Sequence, residues 1–167
     1  MDCDLSWRSA ERVPPHPATL VIGYGNDLRG DDAAGIRVAT LLAGEVPEHR
    51  SIITQQLMPE LAADIAQAEC VVFVDAYPAD RDSAPLRVER VPRDSEEREG
   101  WGSPLGHRND PATLVGLARR LFGATPDAWV VGIPAHCFDA GEAISPQTSF
   151  WIDEAVALIE GSAFFRE

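Results

Sequence analysis

A six-residue apolar run, residues 18–23 (Ala-Thr-Leu-Val-Ile-Gly), passes straight into the turn Gly23-Tyr24-Gly25-Asn26-Asp27-Leu28-Arg29-Gly30-Asp31-Asp32 and then into a helical pattern. A buried strand, a glycine-rich turn and a helix in that order form the opening unit of a parallel α/β sheet. Such a turn commonly holds phosphate on backbone N–H groups at the positive end of the helix dipole. Here the chemistry is different. Read as a P-loop, Gly25 and Gly30 are correctly spaced, but Asp31 and Asp32 replace the lysine and the hydroxyl residue. Read as a dinucleotide turn, Leu28 stands where the third glycine belongs. Two carboxylates at this point repel a phosphate and suit a cation or a general base.

The remaining pattern repeats strand and helix. From Asp31 the apolar residues Ala34, Ile36, Val38, Ala39, Leu41 and Leu42 are compatible with a helix whose N-terminus carries the acidic pair and which stops by Gly44, and residues 51–57 read as a second strand. Pro59 and Glu60 open a helix through Ile65, as proline does at a first helical position. Residues 70–74 (Cys-Val-Val-Phe-Val) are the most hydrophobic segment, and this central strand ends at Asp75. Residues 86–91 alternate apolar with charged side chains, the mark of a half-exposed edge strand. Asp110-Pro111 starts a third helix, with Leu114, Leu117, Ala118 and Leu121 on one face, and Gly123 closes it. Residues 128–133 form another strand. Ser145-Pro146 caps a last helix whose Phe150, Ala155, Leu158 and Ile159 are expected to face the sheet. A mostly parallel sheet with helices on both faces follows, and ligands of such sheets bind outside the carboxyl ends of the strands.

Length and charge narrow the function classes. The 167 residues, 45% of them hydrophobic, suffice for one core, so residues 1–17 are read as a tail and residues 18–167 as a single domain. A net charge of −13 argues against nucleic acid or an anionic membrane surface as partner. No apolar run approaches the roughly 20 residues that span a bilayer. Three scattered cysteines without a Cys-x-x-Cys pair fit a reducing compartment, with the cytoplasm as the default. Residues 92–108, rich in charge, glycine and proline, read as a long loop that forms either an adjustable rim of the site or an ordinary solvated surface.

Asp32, with Asp31 beside it, and Asp75 are expected at one sheet edge, and His107 precedes the third helix closely enough to reach it. Two carboxylates and an imidazole make a mixed oxygen and nitrogen ligand set, suited to zinc, nickel or another borderline divalent ion. Taken singly, each residue has an ordinary explanation: Asp31 and Asp32 as acids at a helix start, Asp75 as a turn cap, His107 as a loop histidine. His136-Cys137 is the nearest approach to a nucleophile pair, but neighbours on an extended chain point to opposite faces, which favours a packing or loop role.

Together these residues resemble a known family. Gly23-x-Gly25-Asn26-x-Leu28-x-x-Asp31-Asp32-x-x-Gly35, the strand ending Val74-Asp75-Ala76, and His107 before the Leu114/Leu117 helix are similar to the nickel-iron hydrogenase maturation endopeptidases. Gln56-Leu57-x-Pro59-Glu60-Leu61-Ala62 and Phe138-x-x-Gly141-Glu142-x-x-Ser145-Pro146 resemble one branch of them. The resemblance runs from Leu20 to Ile159. It implies a three-layer α/β/α sandwich of the phosphorylase/hydrolase-like kind around a mostly parallel five-stranded sheet. It implies removal of a C-terminal extension from a nickel-loaded hydrogenase large-subunit precursor, with Asp32, Asp75 and His107 as nickel-binding residues and nickel supplied by the precursor. A surrogate divalent ion in the free protein is compatible with it. Asp31 or Asp32 is the candidate general base if nickel serves recognition alone, since a carboxylate beside another acid can have a raised pKa. Many relatives carry glutamate at the position of Asp32, and Thr54-Gln55-Gln56 replaces a glycine-rich stretch of other branches. The competing expectations are a recognition or chaperone module that binds the precursor without cutting it, and a flavodoxin-like nucleotide binder.

Overall fold

Hydrophobic strands alternate with amphipathic helices around one sheet in the computed structural model, which describes residues 19–45, 49–79, 86–92, 110–141 and 143–161. In chain order the elements are β1 (Thr19–Tyr24), a 3-10 turn (Gly30–Ala33), α1 (Ala34–Glu45), β2 (His49–Thr54), α2 (Leu61–Ile65) and β3 (Cys70–Pro78). They continue with β4 (Arg87–Arg90), α3 (Pro111–Phe122), β5 (Asp127–Ala135) and α4 (Pro146–Gly161). The sheet order is β2-β1-β3-β5-β4, with β4 antiparallel to β5 and every other pairing parallel. The central place of β3 and the edge place of β4 match their composition: unbroken Val and Phe in the first, alternating charge in the second.

Because successive strand residues point to opposite faces, the sheet carries two cores. Val21, Val72, Val74, Val131 and Ile133 pack under α1 and α4, against Val38, Leu42, Ile152, Ala155 and Ile159. Leu20, Ile22, Val71, Phe73 and Ala128 pack on the other face against Ala62, Ile65, Leu114, Val115 and Ala118 of α2 and α3. The three-layer architecture is therefore present. α3 starts and stops as its sequence predicts: the Asp110 side chain accepts from the Thr113 N–H at 2.6 Å, and Gly123 adopts a left-handed conformation at the end.

Four local expectations change. The second strand ends at Thr54 instead of Leu57, whose side chain is buried in the α2–α3 core beyond the strand. The acidic pair sits in a 3-10 turn, and regular α-helix begins only at Ala34. β3 continues past Asp75 to Pro78 because β5 runs alongside it for all nine residues. Phe150 faces outward with 55% of its surface exposed, stacked edge-on against Trp151, while Ile152, Ala155 and Ile159 make the buried stripe of α4. The tail 1–17, His107 and residues 93–108 of the charged loop lie outside the described residues. No helix among the described residues is long and apolar enough to cross a membrane.

α1 lies unusually close to the sheet. A Cβ on Gly35 would come within 2.2 Å of the Val74 carbonyl oxygen and 2.6 Å of that of Tyr24. Both obstacles are backbone and cannot swing aside. Gly35→Ala is accordingly expected to lower stability by about 3 kcal/mol, at the upper end of overpacking costs, measured by urea denaturation; a wild-type midpoint would contradict this packing.

Candidate active site

The chain leaves β1 toward β2 on one side of the sheet, and β3 continues toward β5 and β4 on the other. Between the carboxyl ends of β1 and β3 a crevice opens, the place where doubly wound sheets bind ligands. Pairing of these strands stops at Gly23 with Val74, so the next residues, Tyr24 and Asp75, stand at its mouth. Their strand positions put them on the α2–α3 face, in step with Ile22 and Phe73.

Asp32 reaches the same crevice from the 3-10 turn. Its Oδ2 accepts from the Asn26 N–H at 3.2 Å, which ties the acid to the glycine turn. Gly25, at φ +143°, is what allows this: a Cβ there would sit 1.9 Å from the Asp32 carbonyl oxygen. The Asp75 Oδ1 accepts from the Ala76 N–H at 2.8 Å, and the Tyr24 hydroxyl donates to the same carboxylate. Burial pushes Asp75 up to about 7, the Asp32 charge adds to the rise, and the Ala76 and Tyr24 hydrogen bonds only partly offset it. Burial, then Asp75 and Asp110, drive the Tyr24 phenol far above its ordinary value, so it stays a neutral donor. The site thus pairs one carboxylate that protonates near neutrality with a second close by.

Asp31 does something else. Its side chain is fully buried and accepts from the backbone N–H groups of His136, Cys137 and Ser145 at 2.8, 2.8 and 2.6 Å, and from the hydroxyls of Ser145 and Thr148 at 2.7 and 2.8 Å. Burial pushes its pKa up, yet the hydrogen bonds from Ser145, His136 and Thr148 outweigh it and leave the carboxyl below its usual value. The expectation of Asp31 as a general base with a raised pKa is therefore corrected. Its oxygens are occupied by the β5–α4 connection, and it serves as the tie between that connection and the first turn. The backbone of His136-Cys137 belongs to this tie, in keeping with a loop role for the pair.

No protein-family model matches the chain, and no curated protein sequence matches it either. Solved structures do. HybD, a hydrogenase-maturating endopeptidase from E. coli, superposes with a TM-score of 0.64 at 22% identity, covering 84% of this chain and 88% of its own. The [NiFe] hydrogenase maturation protease HybD from Thermococcus kodakarensis gives 0.66 at 21%, covering 85% and 96%. HycI, a [NiFe] hydrogenase maturation protease from Thermococcus kodakarensis, gives 0.64 at 24%, covering 86% and 90%. The fold is that of the hydrogenase maturation endopeptidases. On this hydrogenase-maturation-endopeptidase fold the structure brings Asp32 and Asp75 together and separates Asp31 from them. Tyr24 joins the pair without having been singled out in the sequence, since only strand register reveals that it stands beside Asp75. Among the described residues no three His, Cys, Asp or Glu side chains converge on one point.

Proposed function

We propose that the protein is an endopeptidase that removes the C-terminal extension of a nickel-loaded nickel-iron hydrogenase large-subunit precursor in the cytoplasm. The observation that carries the reading is the pairing of Asp32 with Asp75 at the β1–β3 crevice, in a fold shared with proteins named as hydrogenase maturation endopeptidases. Two carboxylates leave a divalent ion short of ligands, which suits a metal that arrives already held by the substrate. His107 is assigned as the third donor. Only two residues, Arg108 and Asn109, separate it from Asp110, three steps or at most roughly 11 Å of chain, and the charge of Asp110 acts on Tyr24 at the crevice.

In this reading the precursor's nickel is part of the substrate and is gripped by Asp32, Asp75 and His107. The metal presents the tail and can polarise the scissile carbonyl or a water molecule. The chain's own contribution is to hold two acids in fixed positions and to keep Tyr24 as a neutral donor against Asp75. Ligation requires Asp75 without its proton, so affinity for nickel-loaded precursor is expected to rise with pH up to about 7 and then level off. Calorimetric titration across pH 5–8 checks this, and a flat profile would oppose ligation by Asp75.

Gel analysis of purified precursor incubated with the protein tests the whole reading. Nickel-loaded precursor is expected to shorten by its tail, nickel-free precursor to remain intact, and His107→Ala to leave both uncut. A stable complex without shortening would instead identify a recognition module.

A further inference from the structure

A groove of about 160 Å³ opens on the α2–α3 face beside Asp75, lined by Asp75, Tyr77, Arg87, Glu89, Val130 and Gly132. Its origin is a missing side chain. Asp75 pairs with Gly132, and Gly132 pairs with Arg87, so the three residues form one cross-strand row whose middle member has no Cβ. At one strand spacing per step, the backbones of Asp75 and Arg87 stand roughly 10 Å apart across that gap. Val130, paired with Glu89 in the next row on the same face, completes the floor.

The walls are held in place. The Arg87 guanidinium lies 3.8 Å over the Tyr77 ring, a stacking that leaves its in-plane N–H groups available. A Cβ on Gly132 would come within 3.1 Å of the Tyr77 ring and 3.4 Å of the Arg87 Cβ. The glycine therefore makes room for the stacked pair as well as for the groove. Neither Arg87 nor Glu89 forms an ion pair among the described residues, although Arg90 and Arg50 do. A donor fork and an acceptor side by side match the alternating carbonyl and N–H groups of an extended peptide, which advances about 3.4 Å per residue. Ten ångströms therefore correspond to about three substrate residues.

We propose that this groove is the subsite for the substrate's main chain within about three residues of the cleaved bond, with Arg87 donating to a peptide carbonyl and Glu89 accepting from a peptide N–H. The assignment rests on the endopeptidase reading above. Steady-state processing of the nickel-loaded precursor tests it. Arg87→Met is expected to raise KM about tenfold with kcat changed less than about twofold, the cost of a lost hydrogen bond to a charged group. Arg87→Lys should recover part of the loss, and Gly132→Val, which fills the floor, should raise KM similarly while thermal melts confirm that it is folded. Arg37→Met, a charge removed from exposed α1 surface, should leave KM unchanged. Wild-type KM in Arg87→Met, or an equal rise in Arg37→Met, would overturn the subsite while leaving the endopeptidase reading intact. A wild-type protein that does not cut the precursor would overturn that reading and the subsite with it.

Discussion

Asp75→Asn is expected to abolish precursor processing and, at the same time, to make the metal-free protein more stable at pH 8. The two effects have one cause. Burial and the neighbouring Asp32 raise Asp75 from 3.8 to about 7, so the folded protein holds a proton that the unfolded chain has already released in that range. A group with a raised folded-state pKa contributes its full stability below the unfolded value and loses it as pH climbs through the folded value. Wild-type stability should therefore decline between about pH 4 and 7 through this residue, and above pH 7 the buried charge is a standing cost. At about 1.4 kcal/mol per pKa unit, the asparagine variant gains at most about 4 kcal/mol, visible as a higher melting temperature at pH 8 and little change at pH 4. A variant less stable than wild type at pH 8 would contradict a strained Asp75. Sites that hold an acid ready for a cation commonly carry such a stability cost.

Asp31→Ala should have the opposite effect and a comparably large one. The substitution strands three part-buried backbone N–H groups that point at one carboxylate and leaves the hydroxyls of Ser145 and Thr148 only their longer contacts, to Thr148 and to the Pro134 carbonyl. Each stranded buried donor costs about 1–3 kcal/mol, so a total loss of about 4 kcal/mol or more is expected even if water reaches some of them. That is a large part of the roughly 5–15 kcal/mol by which domains are stable. The pH sign also reverses relative to Asp75. A lowered folded-state pKa gives stability that is present above the unfolded carboxyl value and lost as pH falls through the lower folded one. Wild type should thus weaken in acid through Asp31, and Asp31→Asn should lack that component. Urea denaturation at pH 7 and pH 3 separates these outcomes; an Asp31→Ala protein with wild-type stability at pH 7 would show that the five hydrogen bonds do not hold the β5–α4 connection.

The contrast between these neighbouring acids explains how much of the site was legible in the sequence. The strand–turn–helix unit, the central β3 and the edge β4 could be read directly, because apolar runs, alternation and glycine reflect local backbone geometry and burial. Asp75 could be placed at the crevice for the same reason. Asp31 and Asp32 could not be told apart: two residues of a tight turn point in different directions, and which one is buried depends on where β5 and α4 arrive more than 100 residues later. The donors to Asp31, the Tyr24–Asp75 contact and the Asp75–Gly132–Arg87 row are all products of strand register and loop closure. The outward place of Phe150 is hidden by a related ambiguity, because α4 is apolar on more than one side and only the fit against α1 and the sheet selects Ile152, Ala155 and Ile159.

Cleavage that depends on the Asp32–Asp75 pair is the centre of the account, and intact-mass spectrometry of the nickel-loaded precursor tests it most directly. After incubation with wild-type protein the precursor should lose the mass of its C-terminal extension, and after incubation with folded Asp75→Asn or Asp32→Asn protein it should keep its full mass. An unchanged mass with wild type, or loss of the tail with the folded Asp75→Asn variant, would contradict the account.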